Sequence, residues 1–94
     1  MNQPELGAIA TSRAGHDKGR AFVIVGRDGG EYALLSDGAS RPMERPKRKK
    51  LKHLRVEPGV AKEIRERLLT GEPVQNVQVR KALIALGYRT ETGK

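Results

Sequence analysis

Apolar positions in the first forty residues fall into three short runs with the spacing of strands. Leu6–Arg13 is small and apolar around Ile9 and Thr11, Ala21–Val25 (AFVIV) is unbroken and rich in β-branched residues, and Glu31–Asp37 holds Tyr32, Leu34 and Leu35. An unbroken run like AFVIV predicts a central, well-buried strand. Turn chemistry separates the runs: Gly15-His16-Asp17-Lys18-Gly19 between the first two, Asp28-Gly29-Gly30 between the second and third, and Asp37-Gly38 after the third. Asp-Gly between apolar runs predicts a hairpin, because the turn needs a positive φ that glycine adopts at least cost. Strands this short, joined by tight turns, predict a small antiparallel barrel rather than a parallel sheet.

The pattern then changes twice. Pro42 and Pro46 keep the next stretch extended and out of a helix or central strand. From Leu51, the apolar residues Leu51, Leu54 and Val56 stand among Lys52, His53 and Arg55, which predicts a fourth strand with one dry and one basic face and an irregular register. Beyond it, the spacing becomes helical. Pro58 suits a first helical turn; Ala61, Ile64 and Leu68 share a face, Glu63 and Arg67 form an i, i+4 pair opposite, and Gly71 and Pro73 end the helix. Asn76 is the expected cap of a second helix, with Val79, Leu83 and Leu86 on one face and Gly87 as its stop. The fold class expected is mainly β with C-terminal helices (α+β). Residues 6–56 would form the barrel, including a basic loop at 41–50, and residues 57–89 a helical extension.

Composition narrows the picture. In 94 residues with 36% apolar content, the only aromatics are Phe22, Tyr32 and Tyr88, so the core must be mostly aliphatic and thin. There is no cysteine, hence neither disulfides nor thiolate ligands. No stretch reads as a signal peptide or a membrane span, so a soluble, cytoplasmic protein is the expectation. Charge changes the picture most. Residues 41–56, RPMERPKRKKLKHLRV, carry +7 of the net +8; residues 1–40 sum to −1 and residues 57–94 to +2. So concentrated a cluster seeks a polyanion. Its apolar residues from Leu51 onward argue against a disordered basic linker and leave Lys47, Arg48, Lys49 and Lys50 as the exposed, densest portion. Pro42 and Pro46 preclude an amphipathic basic helix of the membrane-binding kind.

GAIATSRAGHDKGRAFVIV is similar to the KOW motif, a strand–loop–strand element of SH3-like barrels in ribosomal proteins and NusG-type transcription factors. The likeness lies in the glycine spacing, the basic residues around the turn and the apolar strand that follows. The later DGASRPMERPKRKKLKHL resembles the basic stretch of the small bacterial KOW-domain RNA-binding proteins related to KOW-containing large-subunit ribosomal proteins. The resemblance spans about residues 6–56 and implies an SH3-like barrel that contacts RNA through its loops and basic edge. It makes Gly15 and Gly19 the turn glycines and Lys18 and Arg20 basic loop residues. Glycines also let a loop backbone approach a phosphate, and neighbouring cations supply charge. The plainer alternative is a tight turn and nothing more.

The expectation is therefore a non-catalytic, ribosome-associated RNA-binding protein that neutralises rRNA phosphates. Its contact residues would be Arg13, His16, Lys18 and Arg20 at the loop, with Arg41, Lys47, Arg48, Lys49, Lys50, Lys52, His53 and Arg55 on the basic segment. Few aromatics make a poor stacking platform, which favours the shape of folded RNA over single strands. Two alternatives remain: a protein-interaction adaptor on the ribosome or transcription machinery, and a helix-turn-helix DNA binder reading through Gln78, Arg80 and Lys81. The gap from Gly71 to Gln75 is long for that motif. No enzyme is expected, and no cofactor, metal, small-molecule substrate or membrane partner. His16 and His53 lack ligand-type partners, GHDKGRA is not a phosphate-binding Walker loop, and no nucleophile or metal signature occurs.

Overall fold

The structure, a computed structural model, describes residues 4–88. Five strands form one antiparallel sheet: β1 (Ala8–Ser12), β2 (Ala21–Asp28), β3 (Tyr32–Ser36), β4 (Lys47–Lys50) and β5 (Leu54–Val60). The order is β4-β3-β2-β1-β5, followed by helices α1 (Lys62–Thr70) and α2 (Asn76–Ala85). Neither helix is long and apolar enough to cross a membrane.

β2 lies at the centre of the sheet, as its AFVIV run predicts, and alternation distributes its side chains between two cores. Phe22 and Ile24 join Ala8, Ala10, Ala33, Leu35 and Leu54 on one face. Ala21 and Val23 join Ile9 on the other, where Ala61 and Ile64 from the α1 segment and Val79 and Leu83 of α2 pack over them. Phe22, Ile9, Ile24, Leu35, Ile64 and Leu83 are essentially sealed from water. Burial of each such side chain contributes about 1.5–3 kcal/mol.

The first core shows how the sheet bends. Leu51 and Leu54, flanking the end of β4 and the start of β5, pack with residues of all three inner strands, although β4 and β5 are opposite edges of the sheet. A single 3₁₀ turn, Leu51–His53, joins those edges. The sheet therefore curls around the first core, while its hydrogen-bonded order still ends at β4 on one side and β5 on the other.

Three local expectations need correction. Lys47–Lys50 is a strand, paired with β3 from Leu35↔Lys47 to Tyr32↔Lys50, and not part of a loop. The predicted fourth strand is instead the 3₁₀ turn followed by β5, which runs past residue 56 to Val60. Pro58 lies in β5 and not in a helix; on an edge strand its missing N–H costs no ladder bond. The β1–β5 register shifts there, from Ala10↔Val56 to Ala8↔Val60, and so absorbs the Pro58-Gly59 step.

The second helix also differs. Gln75 is its N-cap residue, and the Gln78 side chain accepts the Gln75 N–H at 2.8 Å. Asn76 turns sideways instead: its Oδ1 accepts the Met43 N–H at 2.7 Å and its Nδ2 donates to Glu44 at 3.0 Å, fastening α2 to the β3–β4 loop. Leu86, expected on the buried face with Val79 and Leu83, is 40% exposed. From Lys62 onward the first helix follows expectation, with Gly71 closing it in the left-handed conformation and Arg67 near Glu63 at 3.9 Å. Residue 89 of the predicted extension lies outside the described residues.

Candidate nucleic-acid interface

The loop between β1 and β2 turns on Gly15 and Gly19, at φ +80° and +87°, around the 3₁₀ turn Gly15–Asp17. The Gly19 N–H donates to the Ser12 carbonyl at 2.8 Å, and the Arg20 N–H to the Asp17 carbonyl at 2.9 Å. These bonds fold the loop back so that Asp17 points inward while His16 and Lys18 stay exposed. The Arg13 N–H donates to the His53 carbonyl at 2.8 Å, which places this loop beside the β4–β5 link.

Asp17 is the residue that sequence reasoning missed. Read as a turn tip, it is in fact buried, with a side chain only 5% exposed. Three cations surround it: Arg20 Nη1 at 3.5 Å, Lys47 Nζ at 3.5 Å and Lys49 Nζ at 3.7 Å. Lys49 also donates to the Ala14 carbonyl at 2.8 Å, and its side chain is 11% exposed. Arg20 reaches a second buried carboxylate, Asp37, at 3.1 Å; it also donates to Ser40 and lies over the Phe22 ring. Asp37 in turn accepts the backbone N–H groups of Ala39 and Arg41, each at 2.9 Å.

Strand alternation explains how the dense cluster divides. In β4, Lys47 pairs with Leu35 and Lys49 with Ala33, so both follow the inward face of β3 and deliver their charge to Asp17. Arg48 and Lys50 take the outward face. Arg48 stacks on Tyr32, 3.6 Å from the ring centroid, and meets Asp28 at 2.6 Å; Lys50 stands 5.9 Å from the same ring. Lys47–Lys50 is thus not a uniformly exposed block: two of its four cations hold the loop in place.

The remaining candidates divide by partner. Arg13, Lys18, Arg41, Lys50 and Lys52 make no ion pair with another described residue. Arg55 stays 75% exposed beside Glu57 at 3.6 Å, and Glu57 also accepts the Thr11 hydroxyl at 2.9 Å. His53 is half-buried and tied through its carbonyl. Arg41 is half-buried, with its backbone held by Ser36 and Asp37. Loop and link together form a rim on which Arg13, His16, Lys18 and Lys52 face water. Glutamate and aspartate near basic residues are the only sequence signal for the internal pairs, and it does not say which cation each will take.

On the helices, Arg80 donates to the Gly38 carbonyl and Gln78 is occupied at the α2 N-terminus, which leaves Lys81 as the one exposed side chain of the three helix-turn-helix candidates. Among the described residues no group of three or more His, Cys, Asp and Glu side chains is placed to hold a metal ion. Comparison of the chain with protein-family models finds no match, and comparison with curated proteins finds no significant one.

Proposed function

We propose that the chain is a non-catalytic RNA-binding protein, ribosome-associated, built on an SH3-like barrel of the KOW kind and holding structured RNA by its phosphates. The observation that carries this reading is the rim: Arg13, Lys18 and Lys52, none of them paired with an acid among the described residues, stand exposed on the glycine-turned loop and on the β4–β5 link, which the Arg13 N–H ties together. Cations held at fixed backbone positions release counterions from a phosphate chain without first being ordered. The curled sheet, with both edge strands feeding one core, supports the barrel reading. Of the three aromatics, Phe22 is sealed in the core and Tyr32 is covered by Arg48, which supports recognition of folded rather than single-stranded RNA. Co-sedimentation with ribosomes at low and at high salt tests it. Salt-labile association is expected, and its absence at low salt would contradict the proposal.

A second reading has its own observation. A groove of about 600 Å³ between the helices is floored by Val60, Ile64, Ala82 and Leu86, an apolar surface suited to a protein partner. An adaptor of that kind would stay on the ribosome or transcription machinery at high salt.

A further inference from the structure

The β2–β3 hairpin and the β4–β5 link enclose a second concavity of about 280 Å³, lined by Gly30, Glu31, Lys50, Leu51 and Lys52. That lies just below the roughly 300–1,000 Å³ typical of ligand pockets and suits one nucleotide. Its walls are fixed, because the Leu51 N–H donates to the Glu31 carbonyl at 2.8 Å. Its chemistry is mixed. Leu51 is half-buried against the inner core and offers an apolar surface. Lys50 and Lys52 bring charges without a described acidic partner, and the exposed Glu31 carboxylate has no described cation.

Two lysines alone would suit any phosphate. The carboxylate is what narrows the choice, because it repels a phosphate and accepts hydrogen bonds without donating any. A ligand must therefore bring anions for the lysines, a flat apolar face for the leucine and paired donors for the carboxylate. Among the four RNA bases only guanine presents two adjacent donors, N1–H and N2–H, on its Watson–Crick edge. In a stem that edge is occupied by cytosine, so the base must come from a bulge or loop, the usual place of sequence reading in RNA. We propose that this notch takes one unpaired guanine of the bound RNA, with Glu31 accepting its Watson–Crick edge, Leu51 against its face, and Lys50 and Lys52 at the flanking phosphates. The inference rests on the RNA-binding reading above and adds a base preference to it.

The test uses the full chain and one RNA hairpin, fully paired or carrying a single bulged G, A, C or U, with affinity read by fluorescence anisotropy. The G-bulged hairpin should bind about tenfold more tightly than the paired hairpin or the other bulges, the discrimination of one bidentate contact. Glu31→Gln, at an exposed position, should erase that preference and leave binding of the paired hairpin within about twofold. Equal affinity for G-bulged and paired hairpins, or an undiminished preference in Glu31→Gln, overturns the guanine notch; salt-dependent binding of the paired hairpin would still uphold the RNA reading. If no hairpin binds at low salt, both are overturned.

Discussion

Asp17 is the point at which the basic segment becomes part of the fold, and Asp17→Asn exposes how much that joint contributes. The substitution keeps the shape of the side chain and removes one buried charge facing Arg20, Lys47 and Lys49 at 3.5–3.7 Å. At an effective dielectric of about 20, each such pair has a Coulomb energy near 4–5 kcal/mol before desolvation is subtracted. Losing one partner of a fully buried pair costs about 3–5 kcal/mol, and of an exposed pair about 0–1. This site lies between those limits. The carboxylate is 5% exposed and Lys49 11%, but Arg20 and Lys47 are each 31% exposed and can turn to water. Arg20 also keeps Asp37, and Lys49 keeps the Ala14 carbonyl. A loss of about 2–3 kcal/mol follows, equivalent to a melting temperature lower by about 10–20 °C in a domain this small. Urea denaturation of wild type, Asp17→Asn, Lys49→Met and the double variant measures it. The double variant should lose less than the sum of the singles by about 1–2 kcal/mol, since residues in contact couple. A loss below about 0.5 kcal/mol in Asp17→Asn, the scale of an ordinary surface substitution, would show that the Asp17 carboxylate does not hold the basic strand to the fold.

Gly38→Ala should cost about 2–4 kcal/mol in the same assay, because Gly38 has φ +73° and a Cβ there would lie 2.4 Å from the Asn76 carbonyl oxygen at the start of α2. Gly19→Ala, also at positive φ but with open space around it, should cost only about 1–2 kcal/mol. The Asn76 side-chain amide, and then a backbone N–H, hold the Glu44 carboxyl below its ordinary pKa. The contact therefore stabilises the fold above the ordinary glutamate pKa, and its contribution is lost as pH falls through the lower folded value. In an NMR titration Asn76→Ala should move Glu44 back up toward the ordinary value; an unchanged midpoint would mean that the contact is not made in solution.

Much of the architecture was legible because burial leaves a periodic trace. AFVIV marks the central strand since both of its faces are dry, and Ala61, Ile64 and Leu68 mark a helix with one dry face. β4 was not legible. Four consecutive cations have low strand propensity, and only the partner strand and the carboxylate of Asp17 make KRKK a strand. Pro58 misled for a related reason: its fixed φ suits a helix start and an edge strand equally, and the vacant edge beside β1 decides. Asn76 resembles a cap in sequence, but its amide finds Met43 and Glu44, which are distant in the chain. At the candidate site, the density of charge was visible and its division was not. Alternation along β4 sends Lys47 and Lys49 inward, and no local pattern reveals that before the strand itself is known.

We propose that the unpaired cations of the rim, rather than the whole basic segment, contact RNA phosphates. The most direct test is the salt dependence of structured-RNA binding in the Arg13→Ala/Lys18→Ala/Lys52→Ala variant. Each lost phosphate contact changes the log–log slope by roughly 0.7–0.9, so the slope should become shallower by about 2–3 while the fold is retained. An unchanged slope in the folded triple variant would show that these three side chains do not touch phosphates.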